Sequence, residues 1–250
     1  PEGLNTEELL RLASQDLTLE DFDTSVLSSK GGLHMRETTD GRVMCDSMHN
    51  RLQTDAFLPA GGLPNTIRFD NWEAFLTPEG KPSSPLIVEA ANIFIDQTAR
   101  KHLTKHGAVI VKDSSANKCG VICSSMEIIA NLLLSEDEFI AFKKEYVADV
   151  LHHLRLLAKK EADLMFNEYK KTSGDPDGPW DATLPGIAER ISEVMNDTSD
   201  LIAGQLLDTI QYNKITEIAA GALLPSLRER APMETLEALP QGYIINMVAK

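Results

Sequence analysis

Three short apolar runs, "AFL" (56–58), "LIVE" (86–89) and "AVIVK" (108–112), each empty into small or amide-bearing residues. The clusters that follow are Ala60-Gly61-Gly62, Ala90-Ala91-Asn92 and Ser114-Ser115-Ala116-Asn117. Runs this short read as buried strands, and a helical pattern over 97–107, closing at Gly107, separates the second from the third. Strands spaced in this way build βαβ units, which predicts an α/β fold: a partial Rossmann-like parallel sheet covered by helices. Ligands of open parallel sheets bind beyond the carboxyl ends of the strands. Any one of these clusters is explained by a turn that needs small residues. Three on one edge instead predict a groove walled by backbone and two asparagine amides.

Such a groove suits a flat, amide-bearing ligand such as nicotinamide, because a carboxamide needs one donor and one acceptor. Ser124 and Ser125 lie near the start of the next predicted helix, where free N–H groups favour an anion and a hydroxyl can reach a carboxylate. The plainer alternative is that both serines bond backward within the helix.

The periodicity changes after residue 121. "VICSSMEIIANLLL" (121–134) is helical, and Ser135 caps a long helix with Asp137 and Glu138 in its first turn. Phe139, Phe142, Tyr146, Val150, Leu154 and Leu157 carry an apolar stripe at three-to-four spacing. A Gly/Pro/Asp-rich loop (172–186) precedes further helices over 185–211, 213–223 and 233–239. Upstream, 5–13 reads as a helix capped by Asn5 or Thr6. The segment 31–45 reads as a hairpin turning at Asp40-Gly41. These patterns divide the chain into a partial nucleotide-binding domain (1–134) and an all-helical C-terminal region (135–250).

Composition narrows the partners. A formal net charge of −14 disfavours nucleic acid and anionic membrane surfaces, which both require Lys and Arg. Three cysteines, Cys45, Cys119 and Cys123, are too few for a disulfide framework and suit a reducing cytoplasm. Cys119 and Cys123, like His102 and His106, sit four apart, but no further ligand completes a metal pattern. His152-His153 are adjacent and point to different sides of a helix. There is no serine-hydrolase elbow, Walker loop or G-x-G-x-x-G. The chain starts without Met and stops inside an apolar run, so it reads as an internal segment of a longer protein.

The segments "TDAFLPAGGLPNTI", "SSPLIVEAANIFI" and "VKDSSANKCGVICSSMEI" resemble the cofactor domain of glutamate dehydrogenases, above all the large-subunit, NAD-specific class with its helical C-terminal extension. The resemblance spans nearly the whole chain and is strongest over 54–142. It implies NAD as cofactor, with Ala60, Gly61 and Gly62 against the adenosine side. It further implies Asn92 near the nicotinamide ribose, Asn117 near the nicotinamide amide and Ser124 on a substrate carboxylate. Two departures stand out: Ala90 replaces a glycine, and Lys118-Cys119 replace Ala-Gly. The extra charge at Lys118 is expected to favour an anionic substrate or alter the site.

The resemblance also implies that the catalytic lysine and aspartate, and the phosphate-binding glycine turn, lie upstream of Pro1. No residue within the chain is assigned as catalytic. The implied reaction is oxidative deamination of L-glutamate to 2-oxoglutarate and ammonia by a homo-oligomeric enzyme of amino-acid metabolism. Two other readings are a branched-chain or aromatic amino-acid dehydrogenase, and a non-catalytic assembly role for the helical region.

Overall fold

The computed structural model describes residues 3–172, 181–206, 212–231, 236, 239–240 and 242–244. Helix α1 (Thr6–Ser14) is capped by Asn5, whose side chain accepts the Glu8 N–H. Glu8 is buried against Arg11 and the Asp23 N–H, which together hold its carboxyl at about 2.

The segment 31–45 is not a hairpin. It holds helix α2 (Thr39–Asp46), followed directly by α3 (Met48–Arg51). Thr38 accepts the Gly41 N–H and Asp40 sits in the first turn, an N-terminal helix signature that also resembles turn chemistry. Gly41 is needed for closeness, not for a turn: a Cβ there would meet the Met35 carbonyl oxygen at 1.9 Å.

Strands β1 (Ala56–Phe57), β2 (Leu86–Val88) and β3 (Val109–Val111) form a parallel sheet in sequence order. Phe57 pairs with Ile87, and Ile87 with Ile110. Helix α4 (Gln97–Lys105) joins β2 to β3, capped by Asp96 and ending at Gly107 with φ +96°. The β1–β2 connection carries no α-helix, only a short 3-10 turn, Trp72–Phe75, among loops and tight turns.

Alternation along the strands splits the sheet into two faces. Ile87 and Ile110 enter a core with Ile67, Trp72, Phe75, Phe94 and Leu103. Val109 and Val111 face Met165, Leu184 and Ile187 on the other side. A parallel sheet covered on both faces is the stable form of this architecture.

After β3 come α5 (Asp113–Ala116), α6 (Cys119–Leu133) and α7 (Glu136–Thr172). Ser135 precedes α7, and both its N–H and its hydroxyl donate to Glu138. Helices α8 (Leu184–Leu206), α9 (Tyr212–Ala222) and α10 (Pro225–Arg228) follow. The helix expected over 233–239 falls largely outside the described residues, as does most of the 172–186 loop.

A third core unites α6, α7, α9 and α10 through Ile129, Leu133, Phe142, Tyr146, Ala219 and Leu227. Of the expected stripe, Phe142 and Tyr146 are buried, Phe139 and Val150 pack beside them, and Leu154 and Leu157 are half-buried. No helix among the described residues is long and apolar enough to cross a membrane.

Candidate functional site

At the carboxyl edge of the sheet, Ala60, Gly61, Gly62, Pro64, Ala90, Ala91, Asn92 and Asn117 line a groove of about 430 Å³. That volume falls in the ~300–1,000 Å³ range of small-molecule sites. All three strand ends contribute, and five of the six residues singled out in the sequence line this groove together. The sixth, Ser124, is exposed on α6 and is not part of the lining. Ser125 donates backward to the Val121 carbonyl at 3.0 Å, the plainer of the two roles open to it.

The two asparagines meet. Asn117 Nδ2 donates to Asn92 Oδ1 at 2.7 Å, across 25 residues of chain. The pair leaves Asn92 Nδ2 as a donor and Asn117 Oδ1 as an acceptor without a hydrogen bond among the described residues. One donor beside one acceptor is the complement of a carboxamide.

The glycines differ in purpose. Gly62 has φ +116°, and a Cβ there would stand 3.0 Å from the Phe94 ring. Gly61 has open space on its outer side, so its missing side chain widens the groove and relieves no clash.

The wall behind Asn92 is held by a buried ion pair that the sequence reading did not single out. Arg100 Nε and Nη2 donate to Glu89 at 2.9 and 3.1 Å, Nη2 also donates to the Ile95 carbonyl, and Glu89 Oε1 accepts the Ile95 N–H. Glu89 is fully buried. Its burial pushes the carboxyl up, while the Arg100 guanidinium and the Ile95 N–H pull the other way. An acidic residue closing an apolar strand was the available signal: it must be paired to be buried.

Beyond Asn92, Ile93 lies in the left-handed region at φ +53°, and Asn65 opposite it at φ +54°. For a β-branched residue this costs about 1–2 kcal/mol. Its N–H donates to Asp113 Oδ2 at 2.9 Å, and its carbonyl accepts the Asn65 N–H at 2.6 Å.

Lys118 is paired within the chain. Its Nζ donates to both Glu161 oxygens at 2.7 Å, so its charge is spent on α7. His102 stacks on Trp72 at 4.6 Å, and His106 faces the His102 carbonyl through Nδ1. Both imidazoles therefore have structural surroundings.

A small parallel sheet covered by helices, with a backbone-walled, amide-bearing groove at its carboxyl edge, is a partial Rossmann-like α/β fold. The sequence profile of the Glutamate/Leucine/Phenylalanine/Valine dehydrogenase family matches residues 1–172. The chain belongs to that family. It is 30% identical over 276 residues to the NAD-specific glutamate dehydrogenase of Saccharomyces cerevisiae, covering 98% of this chain and 24% of the relative. Glutamate dehydrogenase 2 of Dictyostelium discoideum is 30% identical over 268 residues, covering 98% and 25%. A probable NAD-specific glutamate dehydrogenase of Schizosaccharomyces pombe is 30% identical over 266 residues, covering 98% and 23%. The chain thus spans about a quarter of the length of the curated relatives it matches. No solved structure is a significant match to it.

Proposed function

We propose that this chain forms the nicotinamide side of the cofactor site in an NAD-dependent glutamate dehydrogenase that oxidatively deaminates L-glutamate to 2-oxoglutarate and ammonia. The observation that carries the reading is the Asn92–Asn117 pair at the mouth of a groove otherwise made of backbone and small side chains. When bound, NAD supplies the acceptor for the substrate's hydride. The chain's own residues bind and orient. Asn117 Oδ1 and Asn92 Nδ2 take a carboxamide, while Gly61 and Gly62 let the adenosine side of the cofactor approach the backbone. The exposed Ser124 hydroxyl on α6 reaches a substrate carboxylate. Relatives named as glutamate dehydrogenases support glutamate over the other amino acids in the family's title.

The test uses the full-length protein. Asn117→Ala and Asn92→Ala should each raise the NAD KM about tenfold, the worth of one well-placed hydrogen bond. If both leave it unchanged, the groove is not the nicotinamide site. Faster turnover of leucine than of glutamate would overturn the substrate assignment.

The same reading places the enzyme in the cytoplasm, supported by three free cysteines, and makes it a homo-oligomer. Exposed Ile140, Val147 and Leu151 along α7 support the assembly. A monomer in sedimentation of the full-length protein would exclude that part.

A further inference from the structure

Residue 113 is bonded beside both members of the amide pair, through its carboxylate on one side and its main-chain carbonyl on the other. Asp113 Oδ2 accepts the Ile93 N–H at 2.9 Å, the peptide that directly follows Asn92. Its Oδ1 accepts the Ser114 N–H at 2.8 Å, and its carbonyl accepts the Asn117 N–H at 2.9 Å. Residue 113 therefore fixes the backbone beside each of the two amides that meet at 2.7 Å. The Oδ1 contact to Ser114 is local to the first turn of α5, whereas the Oδ2 bond reaches 20 residues back along the chain.

What Asp113 holds is a conformation the chain would otherwise leave. Ile93 sits at φ +53° with its side chain 53% exposed, so burial does not secure it there. Hydrogen bonds secure it instead, from its N–H to Asp113 and to its carbonyl from Asn65. A strained, exposed residue persists only when its surroundings over-determine it, and such residues gather at ligand sites.

We propose that Asp113 is a positioning residue for the cofactor amide: it clamps the Ile93 peptide and so keeps Asn92 and Asn117 in register, presenting donor and acceptor together. The proposal rests on the reading of the groove as the nicotinamide site. Asp113 acts through the two asparagines and makes no contact with the ligand in this scheme. The clamp also links the opposite wall, because Asn65, bonded to the Ile93 carbonyl, lies three residues beyond Gly62.

A double-mutant cycle in the full-length enzyme tests the clamp, with NAD KM, glutamate KM and kcat measured for each variant. Asp113→Ala should raise the NAD KM about tenfold while the glutamate KM stays within about twofold. Asp113→Asn keeps an acceptor for the Ile93 N–H and should stay within about threefold of the parent. Ile93→Gly removes the left-handed penalty, so in that background Asp113→Ala should cost about threefold or less. A merely structural role would not be relieved by glycine.

An unchanged NAD KM in Asp113→Ala, alongside a raised one in Asn92→Ala, overturns the clamp and leaves the groove reading standing. Full additivity of Asp113→Ala and Ile93→Gly also overturns it. If Asn92→Ala and Asn117→Ala both prove silent, the groove reading falls and takes the clamp with it. Should Asp113→Ala alone fail to fold, Asp113→Asn and the double variant carry the cycle. Amide exchange at Ile93, slow in the parent and faster in Asp113→Asn/Ala variants in proportion to their NAD KM, is the supporting readout.

Discussion

Around the sheet, charged side chains are buried and tied to backbone, whereas the helical core is closed by rings and, among the described residues, buries no charged side chain. Glu89 and Arg100 are both buried beside Ile95, and two left-handed non-glycine residues flank the groove. In the helical core, Phe139, Phe142 and Tyr146 stack edge-on with centroids 5.6–5.8 Å apart. Its polar contacts are made by neutral groups or lie nearer the surface: the buried Tyr146 hydroxyl donates to the Met126 carbonyl, Asp149 accepts the Ser226 N–H, and the exposed Arg230 pairs with Glu145. Apolar packing tolerates small adjustments, while a buried ion pair specifies one geometry at the cost of desolvation. The specifying element lies where two amides must be held in place.

Arg100→Ala puts that contrast under the greatest load. It leaves Glu89 buried without its partner and should destabilise by about 3–5 kcal/mol in urea denaturation. It should also raise the NAD KM, because the Ile95 backbone loses its anchor. Phe142→Ala should cost about 3 kcal/mol through cavity formation and leave the NAD KM unchanged. Equal effects of the two variants on NAD would show that the regions are not functionally distinct.

A smaller test separates them by pH. Ser226, whose N–H donates to it at 2.9 Å, holds the Asp149 carboxyl below its ordinary 3.8. A lowered folded value stabilises above the ordinary one, and that contribution is lost as pH falls through the folded value. Asp149→Asn should therefore flatten the acid limb of the stability profile, read by urea midpoints between about pH 5 and 2. Glu89 has the opposite sign: its raised carboxyl contributes most below its ordinary 4.5 and loses that contribution as pH rises. An acid limb unchanged in Asp149→Asn would show that the Asp149–Ser226 contact contributes nothing to stability.

The strands and groove were legible because their signals are local. Each apolar run is followed at once by the small residues that form its lip, so Gly62, Asn92 and Asn117 announce themselves. Contacts between distant residues left no such mark. Lys118 looked like a free charge because Glu161, its partner, stands 43 residues away on a helix whose register is set by packing. Ile93 carries no turn signature, since nothing in an isoleucine suggests a left-handed backbone. Asp113 carried no mark of its tie to Ile93, 20 residues back along the chain. The misread hairpin has a local cause: Thr-Thr-Asp-Gly serves a helix start as well as a turn, and only the closeness of Gly41 to Met35 tells them apart.

Helix α7 runs 37 residues, about 55 Å, without a glycine or proline. Phe142 and Tyr146 belong to the helical core and Met165 to the seam beneath β3. A single rod that is a wall of two cores makes their melting a shared event: neither core can come apart without baring one side of the helix that the other still needs. The groove-bearing edge of the sheet thus draws on the cohesion of the helical bundle, and a lesion far along α7 shortens the lifetime of the groove without altering its shape.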